Sequence, residues 1–180
     1  MDYTASVLFL KSANLRRGPR LLLEGASLEV FAGQKVGLVG ANGCGKSSLF
    51  ALVSGRVDLD AGSLSLPAGT RLSQVAQETE ATDRTALDHV LDGDQALRDI
   101  QRRLERAERD GDGERIAALN GALDDASAWD AEARAARLLD GLGFSTRDGE
   151  RPVRAFSGGW RVRLNLAQAL MRPADLLLLD

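Results

Sequence analysis

Val36-Gly37-Leu38-Val39-Gly40-Ala41-Asn42-Gly43-Cys44-Gly45-Lys46-Ser47 is the stretch on which the reading of this chain turns. Its opening residues read as a short buried strand, and Ser48-Leu49-Phe50-Ala51-Leu52-Val53 continues it as a helix. Between them, Gly40 to Ser47 fits the spacing G-x-x-x-x-G-K-[ST] of a phosphate-binding loop. Gly40, Gly43 and Gly45 let the backbone turn tightly and set bare N–H groups, those of Ala41, Asn42 and Cys44 among them, against phosphate oxygens. The helix opening near Lys46, with Ser47 and Ser48 in its first turn, adds its positive dipole end to the same anion. Lys46 is expected to bridge the β- and γ-phosphates and the Ser47 hydroxyl to ligate Mg²⁺. Strand, loop and helix in that order predict a nucleoside triphosphate site.

The 180 residues suit one domain, with room to bury a real core. A hydrophobic share of 44% and a charged share of 27% are ordinary for a soluble globular protein. No apolar run reaches bilayer length, and the first residues lack a secretory pattern. A single cysteine, Cys44, excludes an internal disulfide and points to a reducing compartment, so a cytoplasmic location is expected. A net charge of −3 gives no support for bulk electrostatic binding to nucleic acid. Most of the cations are arginine, whose planar fork suits phosphate.

Outward from the loop, residues 5–35 read as a β-meander with strands at Val7–Leu10, Leu21–Leu23 and Leu28–Val30, turning at Arg16–Arg20. Ser54-Gly55 is a stop for the first helix. Ser63–Leu66 and Thr70–Val75 read as a hairpin, and Gln77 follows its second strand. In a phosphate-loop enzyme such a glutamine reaches Mg²⁺ and the attacking water; taken alone, a strand-end glutamine is more often a surface residue. From Thr85 to Phe144 the pattern turns helical. Leu97, Ile100, Leu104 and Ala107 recur at spacings of three, four and three, and so do Ile116, Leu119, Leu123 and Ala126. With Asp110-Gly111-Asp112-Gly113 between them, the two seams predict an antiparallel helical hairpin over about 94–127. Its arginines are open to two readings, a solvated face or a binding face. A helix from about Trp129 to Leu142 follows, with Trp129, Leu138, Leu139 and Leu142 read as core. His89, the only histidine, reads as a surface or packing residue and not as a metal ligand.

Phe156-Ser157-Gly158-Gly159-Trp160-Arg161 precedes an arginine-bearing helix, Val162 to Met171, and its Ser-Gly-Gly forms a second small anion site from free N–H groups and a dipole. Leu176-Leu177-Leu178-Leu179-Asp180 reads as a buried strand delivering a carboxylate at its C-terminal end, where open α/β sheets bind ligands. In this order the motifs resemble an α/β ATP-binding cassette, and the Ser157–Leu170 sequence resembles the YheS-like branch of its ABC-F group. The resemblance implies a P-loop cassette with an N-terminal antiparallel β-subdomain (1–84 with the loop core), a helical subdomain (85–155) carrying the hairpin as an arm, and a signature helix with its following strand (156–180). It further implies ATP and Mg²⁺ as ligands. Lys46, Gln77 and Asp180 would be catalytic, Ser47, Gln77 and Asp180 would hold the metal, and Ser157, Gly158 and Gly159 would cap ATP bound on a second cassette. The implied partners are that cassette and a ribosome whose rRNA or tRNA the arm touches, with no membrane. The implied role is an ATPase translation factor in which ATP closes the cassettes and hydrolysis releases them.

Three features depart from the family pattern. The loop where cassettes place an adenine-stacking aromatic offers Arg16 and Arg17, which leaves base selectivity open. Trp160 stands where transporter cassettes have glutamine, which favours the ABC-F reading. The family's general-base glutamate would follow Asp180, so the sequence reads as an N-terminal fragment with little hydrolysis of its own. The competing readings are the ATPase subunit of a membrane transporter and a nucleotide-binding module that does not hydrolyse.

Overall fold

A computed structural model of the chain describes residues 6–75 and 81–179. They form two compact units, one of residues 1–74 with 174–180 and one of residues 75–173.

The first unit is built on two long strands, β1 (Ser6–Arg17) and β2 (Arg20–Phe31), joined by the tight turn Gly18-Pro19. They pair antiparallel, and a third strand, β3 (Ala61–Ser65), adds antiparallel to the other edge of β1. The three short strands expected over residues 5–35 are therefore two long ones. The Gly25 N–H donates to the Asn14 side chain at 2.7 Å, so the register shifts there without the strand ending. Alternation is kept where it was expected: Leu28 is half-buried, Glu29 exposed and Val30 buried. Against this sheet packs α1 (Lys46–Val53), whose Leu52 and Val53 join Leu8, Leu10, Ala13 and Val30 in the core.

The hairpin expected between residues 63 and 75 does not form. β3 belongs to the first sheet, whereas β4 (Leu72–Gln74) pairs in parallel with β5 (Leu176–Leu178). The reason lies beside the strands. The Arg71 N–H and guanidinium both donate to the Asp175 carboxylate, at 2.8, 3.1 and 2.8 Å, and Asp175 N–H donates back to the Arg71 carbonyl. Those bonds hold the Asp175 carboxyl down at about 2. This staple sets the register of the parallel pair, a partner 104 residues away that no local turn signal announces. The four-leucine run is a strand for three residues; Leu178 is buried and Leu179 is exposed.

Val36 to Val39, read as a buried strand, pairs with no strand among the described residues, and Val39 is 91% exposed. An apolar run supplies only its own side of a ladder, and the pairing depends on neighbours.

The second unit is helical. Thr85 caps α2 (Ala86–Leu91), Asp94 caps α3 (Gln95–Asp110) and Asp112 caps α4 (Gly113–Asp125), each side chain accepting from an amide of the first turn. The α3–α4 hairpin has the expected seam: Leu97, Ala107 and Leu119 are buried, and Ile100, Leu104, Ile116 and Leu123 half-buried. α5 (Ala131–Gly141) and α6 (Gly158–Met171) complete a core around Val90, Leu97, Leu139, Phe144, Val153 and Leu164. Trp129, expected in that core, is 81% exposed. Ser127 takes a φ of +52° and breaks the helical phase, so Trp129 lies in a separate turn outside the apolar stripe. Between α2 and α3, Gly93 sits against the Gln168 carbonyl of α6, where a Cβ would overlap the oxygen. Among the described residues, no helix is long and apolar enough to cross a membrane.

Candidate functional site

The phosphate-binding pattern folds as a loop that leaves the amides of its helix start unspent, whereas the Cys44 amide, expected to face phosphate, is used within the loop. The Cys44 N–H donates to the Ala41 carbonyl at 3.2 Å and closes a tight turn. Gly45 then takes a φ of +113°, which an L side chain strains to adopt, and launches α1 as its N-cap. A Cβ there would also press on Leu22 at 3.3 Å. The first intrahelical bond of α1 runs from Leu49 N–H to the Gly45 carbonyl at 2.9 Å. The amides of Lys46, Ser47 and Ser48 precede it and are the orphan donors of a helix start, with the positive dipole end behind them. Lys46 curls back, its Nζ donating to the carbonyls of Gly40 at 2.8 Å and Ala41 at 3.0 Å. Its charge is thereby parked at the rim of the loop.

These groups line an open cavity of about 480 Å³, bounded by Asn42, Gly43, Gly45, Lys46, Ser47 and Ser48 on one side and by Arg17, Arg20 and Leu22 on the other. Gly40 and Ala41 serve as acceptors for Lys46, and the exposed Cys44 lays its thiol over the Gly40 Cα, where a Cβ would meet Sγ at 2.6 Å. A triphosphate fits this donor set: free amides, one ammonium, two guanidiniums, the hydroxyls of Ser47 and Ser48, and no carboxylate among the residues lining the cavity. Ser47 is the group that could hold Mg²⁺.

The arginines are arranged differently from the sequence expectation. Arg17 and Arg20 are direct cross-strand partners, and Leu22 lies two residues on from Arg20, on the same face. Arg16 pairs with Leu21 on the alternate face; its amide donates to Asp60 at 2.6 Å, and its side chain is not on the cavity wall. Arg20 was missed because the sequence shows a basic turn, while only the hairpin register shows which of its residues share a face.

Gln77 and Asp180 lie outside the described residues. In the second unit, Ser157, Gly158 and Gly159 are exposed at the start of α6, with Ser157 as N-cap making no side-chain cap bond. Their position is fixed from behind by aromatic packing. Trp160 meets the Phe144 ring edge-on at 4.7 Å, Phe144 meets Phe156 at 5.6 Å, and the Arg163 guanidinium lies 4.8 Å from the Trp160 ring while donating to the Leu142 carbonyl. His89 is a packing residue: its Nε2 lies 3.2 Å from Asn165 Oδ1, and burial pushes its pKa down. Among the described residues, no three His, Cys, Asp or Glu side chains converge as a metal set.

Comparison with known proteins agrees with this geometry. The family model described as ABC transporter matches residues 23–180. The chain is 51% identical over 174 residues to the Haemophilus influenzae protein named "Probable ATP-binding protein YheS", covering 97% of this chain and 27% of that protein. It is 41% identical to human ATP-binding cassette sub-family F member 3, covering 91% of this chain and 23% of that one. It spans about a quarter of the length of these relatives. Among solved structures, a nucleotide-free ATP-binding cassette from an ABC transporter superposes with a TM-score of 0.66 at 19% identity, covering 98% of this chain and 69% of that one. At that identity the likeness speaks for the fold.

Proposed function

This chain belongs to the ABC transporter family of ATP-binding cassettes, and from that premise we propose that it works as the first cassette of a soluble ABC-F protein, closing on a second cassette around ATP and acting on the ribosome. The observation that carries the nucleotide reading is the convergence of Lys46, the Ser47 hydroxyl and the orphan amides of α1 on one cavity. Lys46 has only to swing from the Gly40 and Ala41 carbonyls to neutralise the terminal phosphates, exchanging two neutral acceptors for charged ones. Ser47 would hold Mg²⁺, with Gln77 and Asp180 as the further ligands this reading assigns, and the ion would neutralise charge developing on the phosphoryl oxygens. Ser157, Gly158 and Gly159 would present free amides to the γ-phosphate of a second cassette, with Trp160 and Phe144 holding that helix start rigid. ATP hydrolysis belongs in this reading to the whole protein.

The ribosomal role rests on the α3–α4 hairpin. Its seam is filled by its own apolar residues, while Arg102, Arg103, Arg106, Arg109 and Arg115 are exposed along it. Acids are interspersed among them, Asp99 pairing with Arg102 at 3.5 Å, and in this reading it is the individual arginine forks that meet a phosphate backbone. The test is co-sedimentation of the full-length protein with ribosomes, with and without residues 94–127. Loss of ribosome binding on deletion, with ATP binding intact, is the expected result. Unchanged co-sedimentation defeats the arm reading, and stable co-purification with a membrane complex would replace it with a transporter subunit. Abolition of ATP binding by Lys46→Ala checks the nucleotide site itself.

A further inference from the structure

Strand β2 meets the phosphate loop in step with it. Leu22 packs on Gly45, where a Cβ would stand 3.3 Å from Leu22 Cβ. Arg20, two residues earlier on the same face of β2, meets Gly43, two residues earlier in the loop, and its Nη1 lies 3.9 Å from where a Gly43 Cβ would stand. Gly43, at a φ of +75° and without a side chain, leaves the loop backbone open to that guanidinium. Arg17 is the direct cross-strand partner of Arg20 across the turn Gly18-Pro19, and both line the cavity together with Lys46. Like charges in that relation repel. Neither guanidinium has an ion-pair or hydrogen-bond partner among the described residues, and no carboxylate is among those lining the cavity. The unliganded fold thus keeps Arg17, Arg20 and Lys46 around one hollow against their mutual repulsion, which a bound anion would relieve.

We infer that Arg20 is a phosphate ligand of the nucleotide site, a second cation that β2 supplies to the triphosphate beside Lys46. Arg17 supports it by adding positive potential at the same wall. The inference rests on the nucleotide reading of this cavity. A guanidinium is planar, always charged, and presents paired donors that match two phosphate oxygens, whereas an ammonium acts as a point charge. Lys46 is engaged with the Gly40 and Ala41 carbonyls until it swings, so Arg20 is the cation with its donors open when an anion arrives. What such a group recognises is the polyphosphate, whatever base it carries. The contribution of Arg20 should therefore appear with inorganic tripolyphosphate as fully as with ATP.

The test is calorimetric titration of the full-length protein with ATP and with inorganic tripolyphosphate. The native sequence is compared with Arg20→Gln, Arg20→Lys, Arg17→Gln and Lys46→Ala, folding is checked by circular dichroism, and thermal unfolding is measured without ligand. The binding component that Lys46→Ala removes belongs to this cavity, and its affinity is the quantity compared. Arg20→Gln should weaken ATP and tripolyphosphate alike by about tenfold, Arg17→Gln by about threefold, and Arg20→Lys to an extent between the two. Unliganded Arg20→Gln should unfold at an unchanged or higher temperature, because it loses a repulsion; a merely structural arginine would not combine that with weaker binding. A lowered unfolding temperature overturns the inference. So does weakening of ATP with tripolyphosphate unaffected, which would put Arg20 on the nucleoside. If Arg20→Gln binds both as the native protein does while Lys46→Ala loses its component, Arg20 is no ligand and the nucleotide site stands. If Lys46→Ala removes no component, the nucleotide reading itself fails.

Discussion

Replacing Arg98 with methionine tests how the hairpin is rooted. Arg98, on the first turn of α3, is about four-fifths buried and spends its whole fork on α2 and its own helix. Nε donates to Asp92 Oδ1 at 2.9 Å, Nη2 to Asp88 Oδ1 at 2.9 Å and to the Asp88 carbonyl at 3.1 Å, and Nη1 to Gln101 at 3.1 Å. Methionine keeps most of the apolar stem and removes the donors. Charge-assisted hydrogen bonds are worth about 1.5–3 kcal/mol each when nothing compensates. Here compensation is partial: Asp92 retains Arg84 at 2.9 Å, and Asp88 keeps the Thr85 hydroxyl and is half-exposed. The larger penalty of an orphaned buried charge therefore does not apply. A net loss of about 2 kcal/mol follows, which lowers the Tm by about 4–8 °C for a chain of this size.

The pH dependence sharpens this expectation. Asp88 is held below the usual carboxylate range, first by its bond from Arg98. A depressed carboxylate contributes stability that is fully present above its unfolded value, near pH 4, and is lost as pH falls through the folded one. The gap between native and Arg98→Met proteins should thus be constant at neutral pH and narrow in acid. Urea unfolding at pH 7 and pH 3, with a double-mutant cycle against Asp88→Asn, measures both quantities. A loss below about 0.5 kcal/mol would place Arg98 among ordinary surface pairs. A coupling to Asp88 near zero would refute the keystone role.

Two further expectations concern single contacts. Gly93→Ala puts a methyl group onto the Gln168 carbonyl, a backbone atom that cannot rotate away, so it should cost more than the 1–3 kcal/mol usual for overpacking; an unchanged Tm would mean that α2 and α6 do not meet there. Arg71→Met removes the first cause of the low Asp175 pKa, so carboxyl titration followed by NMR should move from about 2 toward the ordinary aspartate range near 4, and a carboxyl still near 2 would show that the guanidinium is not responsible.

Local sequence was enough to place several parts of this protein. The G-x-x-x-x-G-K-S spacing is chemistry written in order, because the groups that would meet a phosphate lie within eight consecutive residues. The α3–α4 hairpin was equally legible. Its seam contacts come from neighbouring turns of two helices joined by Gly111 and Asp112, so periodicity and turn residues together specify it.

What tertiary structure decided involves partners distant in the chain. Leu72–Gln74 could have turned back on Ala61–Ser65; Arg71 and Asp175, far apart in sequence, sent it to Leu176–Leu178 instead. Trp129 looked like core by composition, and a single left-handed residue at Ser127 rotated it into solvent. Among Arg16, Arg17 and Arg20, sequence marks only a basic turn, and the register of β1 on β2 picks the two that face the loop. Helix seams and loop motifs are set by residues a few positions apart. Strand partners and the faces that line a cavity are set by pairing across long separations, which no local pattern encodes.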